Sequence, residues 1–176
     1  LHYKGSNSLI KEYVEEHMPD MLVSLYSPIL GELKRRTKTD KVTIRPALPP
    51  EMGLVVGWVR ENFSENWASE VTVAFTRRPV ACLIAVDDGK LVGFACYDTT
   101  APGFFGPTGV DPVARGKGIG VALLSDCLDT MKTLGHAYAF IGDAGPVDFY
   151  AKTVGAVPIP APDKGIYQGM LRRPSK

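Results

Sequence analysis

Two cations and three glycines share six residues in Arg115-Gly-Lys-Gly118-Ile-Gly120, a combination able to hold a phosphate group. From Gly109 to Gly120 the chain reads as a strand end, a tight loop and the start of a helix. Phe104, Phe105 and Val110 suit the strand, and Pro107 marks an edge, bulge or irregular end. After Gly120, Val121, Leu124, Leu128 and Met131 recur at helical spacing, with Leu123, Cys127 and Leu134 widening the apolar face. Lys132 in the last turn and Gly135 just beyond it supply a stop. A helix start presents unpaired N–H groups and a partial positive charge, and glycines let a ligand approach the backbone. Arg115 and Lys117 add full charges, so the loop makes a seat for an anion. The helix dipole alone is worth ~0.3–2 kcal/mol to an anion there.

Two familiar phosphate loops do not fit. A nucleoside-triphosphate loop needs glycine five places before Gly116 and Ser or Thr after the lysine; those places hold Asp111 and Gly118. The dinucleotide fingerprint Gly-x-Gly-x-x-Gly fails at Val121 when started from Gly116, and at Leu123 when started from Gly118. The loop instead resembles the Arg/Gln-x-x-Gly-x-Gly/Ala signature of the GCN5-related N-acetyltransferases (GNAT). The resemblance takes in Val110 before the loop and the apolar helix after it, and covers roughly residues 42 to 172.

The resemblance implies an acyl-CoA N-acyltransferase fold, α/β with a mixed, mostly antiparallel central sheet and helices on both faces. It implies acetyl-coenzyme A as co-substrate, without a metal. Its pyrophosphate would be held by Arg115, Gly116, Lys117, Gly118, Ile119 and Gly120, and the Val110 N–H would orient the thioester carbonyl. Phe149-Tyr-Ala-Lys-Thr-Val-Gly155-Ala is similar to the family's Phe-Tyr-x-x-x-Gly-Phe ending, with Ala156 where an aromatic is common. The resemblance makes Tyr150 the group that serves the leaving thiolate. A phenol, with an ordinary pKa of about 10, can hydrogen-bond a thiolate or protonate it. Where relatives often carry Asn and Ala before this tyrosine the chain has Asp143 and Pro146, and Asp143 is assigned to the pantetheine arm. The expected reaction is direct acetyl transfer, in a ternary complex, to a primary amine of a small-molecule acceptor. The rival is a non-catalytic acyl-CoA sensor or interaction module using the same loop.

Deprotonating an ammonium substrate calls for a general base. Glu61, Glu65, Glu70, Asp98 and Asp143 are the candidates, and no motif surrounds any of them. His136 reads as a helix C-terminal residue, and His2 and His17 as surface residues. Trp58 and Trp67 divide between core packing and an acceptor pocket.

These groups need a scaffold, and the rest of the chain supplies one. Val42 to Pro46 alternates like a strand. Pro49-Pro50 opens a helix with Leu54, Val55, Trp58 and Val59 on one side, and Ser64 to Phe75 holds a second helix or its loop around Trp67. Ala81–Val86 and Lys90–Tyr97 form an antiparallel hairpin about Asp87-Asp88-Gly89. Ala137–Ile141 is a strand and Val147 to Val154 a short helix closed by Gly155. Ala156–Ile159 and Gly165–Leu171 are expected as the last strands. Residues 1–40 read as a helical extension: one helix over Leu9 to Met18, a second with Met21, Leu22, Leu25 and Tyr26 as its face, and a third from Ser27-Pro28 to Arg36. Residues 41–176 form the acetyltransferase domain. The exposed apolar faces of the extension offer a means to a homodimer.

Composition excludes several other classes. Hydrophobic residues make up 45% and charged residues 22%, with a net charge of +1, so neither a nucleic-acid partner nor a broadly acidic one is indicated. No apolar run is long enough for a membrane span and no signal peptide is evident. Cys82, Cys96 and Cys127 lack metal-ligand spacing and read as buried thiols of a cytoplasmic protein.

Overall fold

The strand Lys90–Tyr97 organises the fold, because its two faces carry different cargoes. The structure, a computed structural model, describes residues 18–37, 41–160 and 165–171. Its strands are β1 (Met21–Ser24), β2 (Val42–Pro46), β3 (Cys82–Asp87), β4 (Lys90–Tyr97), β5 (Phe104–Val110), β6 (Tyr138–Ile141) and β7 (Val157–Pro158). The α-helices are α1 (Pro28–Arg36), α2 (Met52–Asn62), α3 (Glu65–Thr76), α4 (Ile119–Thr133) and α5 (Val147–Val154). The strands form one sheet in the order β2-β3-β4-β5-β6-β1-β7, antiparallel throughout except for β5 with β6.

Adjacent residues of a strand point to opposite faces. On one face the fully buried Phe94 ring meets Trp58, Phe63 and Trp67 of the α2–α3 layer, edge to face in each case. On the other, a Cβ at Gly93 would lie 3.1 Å from Leu123 of α4. Helices therefore cover both faces, as the alternation of strand and helix predicts. Leu123, Leu124, Cys127, Leu128 and Met131 of α4 are all buried, which bears out the helical period; Leu134 ends up exposed beyond the last turn. Leu54 is likewise exposed, and Val55, Val56 and Val59 are the residues α2 buries. Asp88 and Gly89 both take positive φ (47° and 73°) in the β3–β4 turn, as the hairpin signal requires. Ser64 caps α3, its hydroxyl accepting from the Trp67 N–H at 3.1 Å.

Two expectations are corrected. Met21 to Tyr26 does not form a helix: Met21–Ser24 is an inner strand, paired with β6 (Met21↔Ile141) and β7 (Met21↔Pro158). Met21, Val23 and Leu25 are fully buried while Leu22, Ser24 and Tyr26 are not. That is a period of two, which a run of four or five apolar residues cannot distinguish from a helix turn. The sheet thus reaches back across the change of character near residue 40. Nor does Gly165–Leu171 form a strand; it contains a 3-10 turn over Gly165–Tyr167. The place beside β6 that a closing strand would take is already filled by β1. The helix read over Leu9 to Met18 lies outside the described residues but for Met18.

Candidate functional site

The sheet parts beside β5, and the site lies in the parting. β5 pairs with β6 only through Phe104↔Phe140 and Phe105↔Ile141. From Gly106 to Val110 its edge faces a cleft of about 1620 Å³ instead. Pro107, read in the sequence as an irregular end, sits where the pairing stops. On its other side β5 stays bonded to β4, with Asp111 N–H donating to Val92 C=O at 2.9 Å. In an antiparallel pair the bonding groups alternate. In this register (Gly93↔Val110, Ala95↔Thr108) the N–H groups of Val110 and Thr108 therefore point away from β4, into the parting.

The chain leaves β5 through a 3-10 turn, Pro112–Ala114, whose Val113 N–H is capped by the Asp111 carboxylate at 3.0 Å. Gly116 and Gly118 follow, each at φ 77°. Gly118 is the N-cap of α4, in the left-handed conformation that residues with a Cβ adopt at a cost of about 1–2 kcal/mol. Having no side chain, it caps nothing, and the first helical bond is Ala122 N–H to Gly118 C=O at 3.0 Å. The N–H groups of Ile119, Gly120 and Val121 are consequently left without helical acceptors. A Cβ at Gly116 or Gly118 would meet open space. The buried Ile119 side chain anchors the turn. Arg115 Nε donates to Val110 C=O at 3.1 Å, which ties the arginine across the strand end. Arg115, Gly116, Gly118, Ile119 and Gly120 all line the cleft; Lys117 is exposed on the same turn but does not line it.

Tyr150, on α5, faces the cleft with its ring edge-on to Phe105 (6.4 Å between centroids) and Phe149 (5.2 Å). The residue is 6% exposed, and burial pushes its phenol up to about 12, so it holds its proton at neutral pH. Among the described residues no hydrogen-bond partner meets its hydroxyl. Asp143, at φ 49°, also lines the cleft; its backbone N–H donates to the Asp20 carboxylate at 2.9 Å.

Of the carboxylates weighed as bases, the structure brings Glu70 and Asp143 to the cleft. Glu65 pairs with Arg60 at 2.8 Å. Asp98 holds the turn before β5, accepting from Gly103 N–H at 2.6 Å and lying 3.0 Å from His136 Nε2, which also accounts for that histidine. Glu61 is exposed elsewhere on α2. Glu70, half-buried on α3, accepts a hydrogen bond from the Thr100 hydroxyl. Burial pushes its carboxyl up, and the Thr100 bond offsets part of that. Trp67 lines the cleft whereas Trp58 packs beneath it.

The sequence reading did not single out Phe63, Thr100 or Tyr167. Phe63 stacks on Trp67 (5.3 Å, 27°) and lies so close to β5 that a Cβ at Gly109 would be 2.4 Å from its ring. Tyr167 closes on Gly142 in the same manner, at 3.0 Å. The available signal was the bare backbone at those two positions, with no partner named by sequence. Cys82, Cys96 and Cys127 are buried, with the thiols of Cys96 and Cys127 pushed well up by desolvation. Among the described residues no helix is long and apolar enough to cross a membrane.

Comparison with known proteins places this arrangement. The model of the acetyltransferase (GNAT) family matches residues 49–156. No curated protein matches the chain. Among solved structures, a GCN5-related glucosamine N-acetyltransferase region of a fungal multi-domain β-N-acetylglucosaminidase superposes with a TM-score of 0.65 at 14% identity, over 90% of this chain and 22% of that one. A GCN5-related N-acetyltransferase from Sphaerobacter thermophilus gives 0.59 at 20% identity, over 89% of this chain and 54% of that one. A Mycobacterium tuberculosis protein solved in complex with CoA gives 0.53 at 18% identity, over 72% and 86%. The chain thus spans about a fifth of the first and about half of the second. At these identities the structural likeness speaks for the fold.

Proposed function

Because the chain belongs to the GNAT acetyltransferase family, we propose that its cleft takes acetyl-coenzyme A at the α4 end and a small primary amine at the other. The acetyl group then passes directly between them in a ternary complex. One observation carries this reading: the acceptor-free amides of α4, the Val110 N–H and the Tyr150 phenol open into the same cleft. The Mycobacterium tuberculosis neighbour solved with CoA supports the choice of coenzyme.

Acetyl-coenzyme A supplies an activated acyl group on a thiol leaving group. The N–H groups of Ile119, Gly120 and Val121 hold its pyrophosphate, with Arg115 and, from outside, Lys117 adding charge. Gly116 and Gly118 keep the approach free of side chains. Asp143 stands beside the pantetheine arm. The Val110 N–H donates to the thioester oxygen as negative charge develops on it, which is where a fixed donor lowers the barrier. Tyr150, protonated at working pH, gives its proton to the departing sulfur.

Isothermal titration of the protein with acetyl-coenzyme A tests the reading, followed by thiol release over a broad panel of amines. Saturable binding and release with at least one amine are expected. A folded protein that takes up no coenzyme at millimolar concentration overturns it, and binding without release from any amine makes the protein an acyl-CoA sensor.

A further inference from the structure

Trp67 and Glu70 are spaced at i and i+3 on α3, Phe63 from the connection before it stacks on Trp67, and the three make one stripe that lines the cleft. The stripe begins against Gly109 and ends at the Thr100 hydroxyl, which Glu70 accepts. The Tyr167 phenol lies beside Thr100, and Thr99 donates to Gly106 C=O at 2.8 Å. This cluster therefore stands by Gly106, four residues and ~13 Å along β5 from Val110. Around it the cleft wall is Trp67 with the apolar Ile166 and Met170. Among the described residues Arg115 is the sole Lys, Arg or His lining the cleft, and it is tied to Val110 at the other end. This end of the cleft offers a carboxylate and apolar surface, with no cation to meet an acid.

We propose that Glu70, Thr100 and Tyr167 form the acceptor subsite for a primary monoamine with an aromatic body and no carboxylate, and that Glu70 takes the ammonium proton. The inference rests on the acetyltransferase reading of the cleft. Glu70 removes one proton from the ammonium through a chain of waters along the cleft and passes it to solvent. The freed nitrogen forms its bond to the acetyl carbon as the carbon–sulfur bond breaks. The proton the nitrogen then sheds restores the one Tyr150 gave to sulfur, so one proton is released per turnover. The aromatic body lies between Trp67 and the Ile166–Met170 wall. An α-carboxylate would be buried there beside Glu70 with nothing to pair it. Among the described residues the titratable groups facing Glu70 are the Tyr167 phenol, the Cys96 thiol of β4 and, across Tyr167, the Asp143 and Asp20 carboxylates.

The test pairs 2-phenylethylamine with phenylalanine, which differ by one carboxylate. Calorimetry on protein saturated with the unreactive desulfo-coenzyme A reads binding, and thiol release reads kcat/KM. The amine is expected to bind and to be used on the order of 100-fold better than the amino acid. Glu70→Gln should lower kcat/KM by about 10²- to 10⁴-fold and remove the acid limb of its pH profile, while coenzyme binding and the melting transition show the variant intact. Glu70→Asp should restore part of the rate together with that limb. Equal or better use of phenylalanine, or an acid limb unmoved in Glu70→Gln, overturns the inference while the coenzyme still binds. Wild-type protein that binds no coenzyme brings down the acetyltransferase reading itself, a separable outcome.

Discussion

The two ends of the cleft are built from different material. At the α4 end, six consecutive residues present backbone: three glycines, a helix start and N–H groups with no acceptor. At the other end, side chains from α3, the β4–β5 connection and the last described turn meet at Thr100. A backbone site needs only its local conformation to be right. A side-chain site needs three segments to arrive together, and it buries a carboxylate to do so. The first is robust to changes elsewhere, and the second carries the selectivity.

The comparison breaks most decisively at the junction of the two ends. Tyr150→Phe should lower kcat by about 10²- to 10⁴-fold with the acetyl-coenzyme A Kd unchanged, because the ring stays packed and the proton donor is lost; a Kd that moves as much as kcat would mean the phenol serves binding. Next in size, Gly118→Ala should weaken acetyl-coenzyme A by about 10-fold, because the free loop relaxes out of the left-handed conformation and binding must restore it at ~1–2 kcal/mol, read by titration calorimetry. Amine selectivity should not change with it. Gly109→Ala drives a Cβ into the Phe63 ring and should cost about 1–3 kcal/mol in denaturant unfolding. The same change in a Phe63→Leu background should cost less, since the obstructing ring is gone.

The smallest effect is one of sign. Glu70 is held above the usual carboxylate range by burial, so the folded state binds its proton more tightly than the unfolded chain does. Below the unfolded value of about 4.5 the carboxyl is neutral in both states and its burial is harmless. As pH rises through the raised folded value, the carboxylate destabilises the fold. Glu70→Gln should therefore melt slightly higher than wild type at neutral pH and no differently at pH 4. A lower melting temperature at pH 7 would show that the side-chain end is a stabilising network.

What could be read in the sequence divides along the same line. The loop from Arg115 to Gly120, the α4 period and the Asp88-Gly89 hairpin were legible because each is decided within a dozen neighbouring residues. Glu70 was one of five carboxylates without a distinguishing neighbour; what sets it apart is Thr100, thirty residues on, which only the folded sheet brings to it. Phe63 and Tyr167 escaped notice because their partners are glycines, and a glycine at a close approach looks in sequence like a glycine in a turn. Met21–Ser24 was misread as helix since four residues carry too little period, and its pairing with Ile141 and Pro158 lies beyond any local window.

That strand has a consequence for how the protein is made. Met21 emerges from the ribosome long before the residues on either side of it, Ile141 and Pro158, have been translated. The nascent chain must therefore carry an apolar ribbon with both hydrogen-bonding edges bare until Ile141 and Pro158 have been made, a window in which chaperones or a second nascent chain can claim it. Shortening the chain from its start past Ser24 would strip β6 and β7 of their shared neighbour in a single cut.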